Sequence, residues 1–169
     1  MLSYLQSNSE TNKMVGSVYG EYSILENLKF RTSFGTEYAF LNHNNYQPQY
    51  YLDATHNTQI DQVSKVVDKY VRWNWDNTIT YDTSIGLHNV NLLVGTTAFR
   101  ETAETIAGRK SDVILKGLEY AYLDNAQDPE SAQAWGGFSD HTLLSYFGRV
   151  NYGYDETYLL TAVLRGDGS

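Results

Sequence analysis

Carboxylates are the first place to look for chemistry, and here Asp53, Asp61, Asp124 and Asp128 stand singly in polar stretches with no partnering motif around them. Single Asp residues in such settings form turns, because the side chain hydrogen-bonds its own backbone. No GxSxG, HExxH or Gly-rich phosphate loop occurs. His43, His56, His88 and His141 are scattered without ligand spacing, and no cysteine is present, so the chain offers neither a metal site nor a disulfide framework. The string Asp167, Gly168, Ser169 lacks the further oxygen ligands of a calcium loop. The expectation is a non-enzyme with no catalytic residue, metal or cofactor. The residues suited to binding are aromatic. Tyr46, Tyr50, Tyr51 and Trp135 fall in polar stretches where a ring face can stack on a sugar or grip a peptide side chain at small entropic cost.

The elements that must position these rings are strands. Fifteen Tyr and thirteen Gly against two Pro favour extended structure over helix. A net charge of −8 without a run of Lys or Arg gives no footprint for nucleic acid and none for a polybasic membrane anchor. No window approaches twenty apolar residues, which excludes a membrane-spanning helix, and the N-terminal MLSYLQSNSETNK lacks the basic start and apolar stretch of a secretory leader. Neither observation bears on membrane strands, whose polarity alternates and escapes a hydropathy scan.

Period two decides the matter. Met14, Gly16, Val18, Gly20, Tyr22 and Ile24 alternate with Lys13, Val15, Ser17, Tyr19, Glu21 and Ser23. After a break at Glu26 and Asn27, the even positions from Leu28 to Phe40 are again apolar or Thr. Val71, Trp73, Trp75, Ile79 and Tyr81 then alternate with Arg72, Asn74, Asp76, Thr78, Thr80 and Asp82, and only Asn77 spoils the apolar side. A connection from Ser84 to Leu87 leads to Val90, Leu92, Val94, Thr96 and Ala98. Leu144, Tyr146, Gly148, Val150, Tyr152 and Tyr154 follow, then a turn at Asp155 and Glu156, then Tyr158, Leu160, Ala162 and Leu164. This pattern predicts six strands in three hairpins, each with one greasy wall.

The strands are long enough to cross a hydrocarbon layer when tilted, and the connections alternate between tight turns and long polar loops, 41–68 and 101–141. Within the second loop, residues 111–122 carry a spacing that a short helix could use, although Gly117 weakens it. Arg31, Glu37, Arg72, Asp76, Asp82, Arg149 and Arg165 all fall on polar faces, where solvation is their ordinary role. Trp73, Trp75, Tyr152 and Tyr154 suit an interfacial girdle.

The closing run LLSYFGRVNYGYDETYLLTAVLRGDGS, from Leu143 to Ser169, resembles a stretch typical of the SusC/RagA family of TonB-linked outer-membrane proteins. There a strand of the form SYFGRVNYxY, a turn and a strand of the form YLLTAxxRxDGS belong to the barrel. The resemblance implies an all-β, antiparallel, up-and-down fold, with these six strands part of a 22-stranded transmembrane β-barrel. Residues 1–169 are then a partial barrel domain without the plug, TonB box or signal peptide of a complete family member. It also implies import of oligosaccharides or peptides through the bacterial outer membrane, lipid around the wall, a SusD-like lipoprotein as partner and TonB as the energy source. Since eight strands are about the minimum for closure, six imply a piece of a larger wall. A rival reading is a soluble or secreted carbohydrate-binding β-sandwich, which mixes Tyr, Trp and Asn-rich loops in the same way. The two differ over the greasy faces: a sandwich packs them against each other, and a membrane wall turns them to lipid.

Overall fold

The computed structural model describes residues 5–169. The first four residues, part of the stretch read above for a leader, lie outside them. Six long strands form one sheet in the order β1-β2-β5-β6-β7-β8, and a second sheet has two strands of two residues each. The long strands are β1 (Gln6–Leu25), β2 (Leu28–Gln47), β5 (Gln62–Ile85), β6 (His88–Ser111), β7 (Gln133–Tyr154) and β8 (Tyr158–Gly168), and the small pair is β3 (Tyr50–Tyr51) and β4 (Asn57–Thr58). The up-and-down order is the one the pattern predicts.

The turns fall where the alternation breaks. β1 and β2 meet at Glu26 and Asn27, and β5 and β6 meet at Gly86 and Leu87, with Gly86 at φ 60°. Asp155 and Glu156, both at φ 51°, join β7 to β8, and the Thr157 N–H donates to the Tyr154 carbonyl at 3.0 Å. Two successive left-handed residues of this kind match the right-handed twist of a hairpin.

The strands outrun their prediction. β2 continues to Gln47, β5 begins at Gln62, β6 continues to Ser111 and β7 begins at Gln133, so the true loops are 48–61 and 112–132. In the extensions polar and apolar residues fall on both faces, which erases the alternation without removing the backbone ladder. The 24 residues of β5 or β6 extend about 80 Å at about 3.3 Å per residue. Nor is 111–122 an α-helix. The segment holds a single 3-10 turn, Leu118–Tyr120, preceded by Gly117 at φ 118°, and a second such turn, Leu123–Asn125, follows.

The chain divides into two compact units. Unit 1 comprises Met1–Met14, Tyr38–Tyr70 and Ala103–Ser139, and unit 2 comprises Val15–Glu37, Val71–Thr102 and Asp140–Ser169. Among the described residues, every buried hydrophobic side chain belongs to unit 1: Ala39, Tyr46, Val63, Ala107, Val113, Ala121 and Ala126. Unit 2 has none, and leaves Leu159 and Leu164 83% and 81% exposed. The total accessible surface is 11876 Å², where a folded monomer of this mass would show about 8,400 Å². A sandwich would hide its greasy faces between two sheets, and here no second sheet of matching length exists among the described residues.

The register of β7 on β8 sets Gly148 opposite Leu164, Val150 opposite Ala162, Tyr152 opposite Leu160 and Tyr154 opposite Tyr158, with Asn151 opposite Thr161 on the other face. Paired residues share a face, so the apolar sets predicted for β7 and β8 form one continuous surface. A close approach marks the other face: a Cβ on Gly95 would stand 2.5 Å from the Phe147 ring and 2.9 Å from the Asn77 carbonyl oxygen. Gly95→Ala therefore moves both a ring and a backbone, and should cost about 1–3 kcal/mol, read as a lower urea midpoint of the full-length protein.

Candidate functional site

Two surfaces carry the chemistry, the polar face of the sheet and the loop assembly of unit 1. On the polar face of unit 2, Arg72 extends from β5 to Glu101 on β6, its Nε donating to Oε2 at 2.6 Å. The charge of Glu37 on β2 also acts on it. One step along, Asp76 accepts Asn74 Nδ2 and Thr97 Oγ1, both at 2.7 Å. Next, Asp82 accepts Asn91 Nδ2 at 2.5 Å, Asn91 accepts Asn151 Nδ2 at 3.0 Å, and Asn151 accepts Thr161 Oγ1 at 3.0 Å. Side chains from four strands thus form one polar relay across β5 to β8. Arg165 donates to Asp167 at 2.8 Å and to the buried Ser145 at 3.2 Å, and Arg149 stands exposed opposite Val163. Arg31 is placed differently. Its guanidinium lies 4.8 Å over the Tyr19 ring, beside a shallow hollow of about 250 Å³ whose rim includes Ser17, Ser33 and Asn74. A cation, two hydroxyls and an amide around a concavity suit a carboxylate or a polyhydroxylated molecule.

The same alternation continues on unit 1, where Asp68 accepts Thr105 Oγ1 at 2.5 Å and lies 3.9 Å from His43, whose Nδ1 is 2.8 Å from Ser9 Oγ.

The apolar face is not free of polar groups, but they make cross-strand contacts. Asn77, the one exception in its run, accepts the Thr32 hydroxyl at 2.7 Å, and that hydroxyl accepts Trp75 Nε1 at 2.9 Å. Arg100, next after Ala98, makes a two-point pair with Asp140 at 2.9 and 2.7 Å, which ends the apolar run. Near the tight turns, His88, Tyr152, Tyr154 and Tyr158 bring their rings within 5.0–6.4 Å of a neighbour.

The four predicted binding aromatics do not converge. Tyr46 lies at the end of β2, 4% exposed, with its hydroxyl donating to Asp61 Oδ2 at 3.5 Å. Its surface is spent on the small core of unit 1, with Val63, Val113, Ala121 and Ala126. Tyr50 and Tyr51 form β3, paired with Thr58 and Asn57, and Tyr51 is 75% exposed. Trp135 sits on β7 rather than in a loop, and is about half exposed.

What the sequence did not reveal is the hub beneath them. Asp61, 1% exposed, accepts the Val113 N–H at 2.9 Å and the Lys116 ammonium at 2.6 Å. Burial pushes its carboxyl up, but Lys116 and the Val113 N–H outweigh that and hold it below the usual carboxylate range. Lys116 is raised by the same pairing, and Tyr46 is raised by burial and then by the Asp61 charge. At the loop tip, Asp53 is lowered to about 2 by the Thr55 hydroxyl, the Thr55 N–H and His56. Asn125 is a second hub: its amide donates to the Leu115 and Tyr120 carbonyls at 2.9 and 2.8 Å and accepts the Leu115 N–H at 3.1 Å.

No family model matches the chain. Curated relatives do. A TonB-dependent receptor of Formosa agariphila is 29% identical over 164 residues, covering 94% of this chain and 16% of its own length. The TonB-dependent receptor SusC of Bacteroides thetaiotaomicron is 26% identical over 179 residues, covering 95% of this chain and 15% of its own. The chain therefore spans about a sixth of the length of the curated relatives it matches. Among solved structures, the RagAB peptide importer in its "open-open" state superposes with a TM-score of 0.84 at 17% identity, over 97% of this chain and 18% of that one. The "closed-closed" state gives the same score and coverage.

Long antiparallel strands with a bare apolar face and a hydrogen-bonded polar face define the class: a segment of barrel wall. The chain is thus similar in sequence to a segment of TonB-dependent receptors, SusC among them, and shares the fold of the matching part of the RagAB importer.

The two faces can be told apart by a matched pair of variants in the receptor. Val150→Arg, on the apolar face, should lower folding stability by about 2–4 kcal/mol, whereas Asn151→Arg next to it should cost less than about 1 kcal/mol. Urea titration in lipid vesicles measures both, and equal costs would mean the faces are assigned wrongly.

Proposed function

We propose that residues 1–169 are part of the barrel domain, twenty-two strands in all, of an outer-membrane receptor that imports oligosaccharides or peptides. In this reading a SusD-like lipoprotein works with the receptor and TonB supplies the energy. The observation that carries it is the coreless unit 2. An apolar surface spread over every strand, with no buried hydrophobic side chain behind it, finds its burial only against lipid. The apolar runs 16–24, 71–81, 90–98 and 144–154 are nine to eleven residues long, the length at which a tilted strand crosses the hydrocarbon layer. Trp73 and Trp75, with Tyr152 and Tyr154, suit girdles at the edges of such a band.

On the opposite face, the relay from Asp82 to Thr161, the Arg72–Glu101 pair and the Arg31 hollow form a wetted lumen surface. Preformed polar contacts of this kind let a hydrated cargo pass without stripping all its water. Arg31, Tyr19 and Asn74 are the lumen contacts proposed for cargo. The exposed Tyr51 and Trp135 are those proposed near the loops, and Tyr50 has a smaller exposed surface to offer.

Growth tests decide. A strain lacking the parent gene, supplied with single oligosaccharides or peptides as sole carbon source, should fail on one class. The parent gene should restore growth, and the same gene without its TonB box should not. Normal growth of the deletion strain on every member of both classes would overturn the reading, as would uptake that does not need TonB.

A further inference from the structure

The two long loops are joined at Asp61. Loop 48–61 ends on Asp61, one residue before β5, and loop 112–132 starts directly after β6. Asp61 holds the beginning of the second loop at three points. Its carbonyl accepts the Asp112 N–H at 3.0 Å, Oδ1 accepts the Val113 N–H at 2.9 Å, and Oδ2 accepts the Lys116 ammonium at 2.6 Å. Lys116 donates to the Val113 carbonyl as well. The segment so held is bounded by two residues in the left-handed region, Asp112 at φ 64° and Gly117 at φ 118°. Beneath it lie Tyr46 and Val63, and beyond it Leu118 and Leu123 pack on the same small core.

The burial of the two partners is unequal. The Asp61 side chain is 2% exposed and that of Lys116 56% exposed. A carboxylate this deep is tolerated only while it is paired. Water can replace the carboxylate as the exposed lysine's partner, but loss of the lysine leaves the buried charge with only the neutral Val113 N–H and Tyr46 hydroxyl. Opening therefore does not fray the loop residue by residue, since letting go of Lys116 strands a charge that the other loop must then bring to water.

We propose that Lys116 is a latch: engaged on Asp61 it fastens loop 112–132 to loop 48–61 as one body, and released it frees both loops together and uncovers Tyr46. The device is independent of what the receptor carries, and its test makes no use of uptake.

Hydrogen exchange on the full-length receptor in lipid reads it directly, with a heat-induced shift in gel mobility to report barrel assembly. In Lys116→Met, amides of 112–127 should exchange at least tenfold faster, and those of 57–63 should accelerate with them. In the double variant Asp61→Asn/Lys116→Met, which leaves no buried charge, both segments should exchange at least threefold more slowly than in Lys116→Met alone. Exchange in Lys116→Met within twofold of the wild type would overturn the latch. So would acceleration confined to 112–127, or a double variant at least as fast as the single one. If Lys116→Met does not assemble, Asp61→Asn, which keeps the shape and the acceptor for Val113, is read by the same two segments. Joint acceleration supports the latch, and unchanged or one-sided exchange overturns it.

Discussion

Everything in this fold depends on where the apolar face is buried, because the chain does not bury it itself. In water the backbone ladder alone does not hold a sheet whose hydrophobic side chains remain exposed; their burial is the dominant favourable term of folding. In lipid the order of importance reverses. Each N–H and C=O must find a protein partner, and the ladder becomes the requirement that lets apolar side chains face outward. In the proposed function, unit 2 is organised for the second solvent and unit 1 for the first. The small core of Tyr46, Val63, Val113, Ala121 and Ala126 sits entirely in unit 1, with the buried Asp61 paired to the half-exposed Lys116 at its edge.

How much of this was legible follows the same division. Wherever one side of a strand is apolar and the other polar, alternation locates the strand and its face, as at Val150 and Asn151 or Trp75 and Asp76. Where polar and apolar residues fall on both sides, as from Asn42 to Gln47 or Thr105 to Ser111, neither side is marked, and strands read as loops. The helical spacing of Val113, Leu118 and Tyr122 had another cause: Val113 is drawn into a core formed across the chain, while Gly117 turns the backbone out of any helix. The Asp61–Lys116 pair was out of reach because its members are separated by 55 residues. A single acid beside a valine looks like any turn former. Tyr46 was ambiguous for a related reason, since a ring in a polar stretch has the same appearance whether it awaits a ligand or plugs a gap.

The polar groups on the apolar face show how local exceptions are absorbed. Asn77 would be expensive against lipid with its amide oxygen unpaired. Thr32 and Trp75 supply a chain of donors that ends on this oxygen, so the three residues act as one unit. An exception to alternation is therefore best judged with its cross-strand neighbour, and the residue opposite Asn77 carries as much information as Asn77 itself.

Gly95 and Phe147 raise a different matter. Glycines in a strand are expected to loosen its register, since nothing fills the space they leave. Here the space is taken by a ring from the next strand. Along the same side of β6 the neighbouring positions are Leu93 and Thr97, and both carry the Cβ that Gly95 lacks. A slip of two residues, the smallest that keeps each face toward its own solvent, would drive the ring onto one of them. The glycine acts as a notch that admits Phe147 at a single setting, and a smooth edge is thereby keyed against sliding during assembly, when few other contacts have formed to align it.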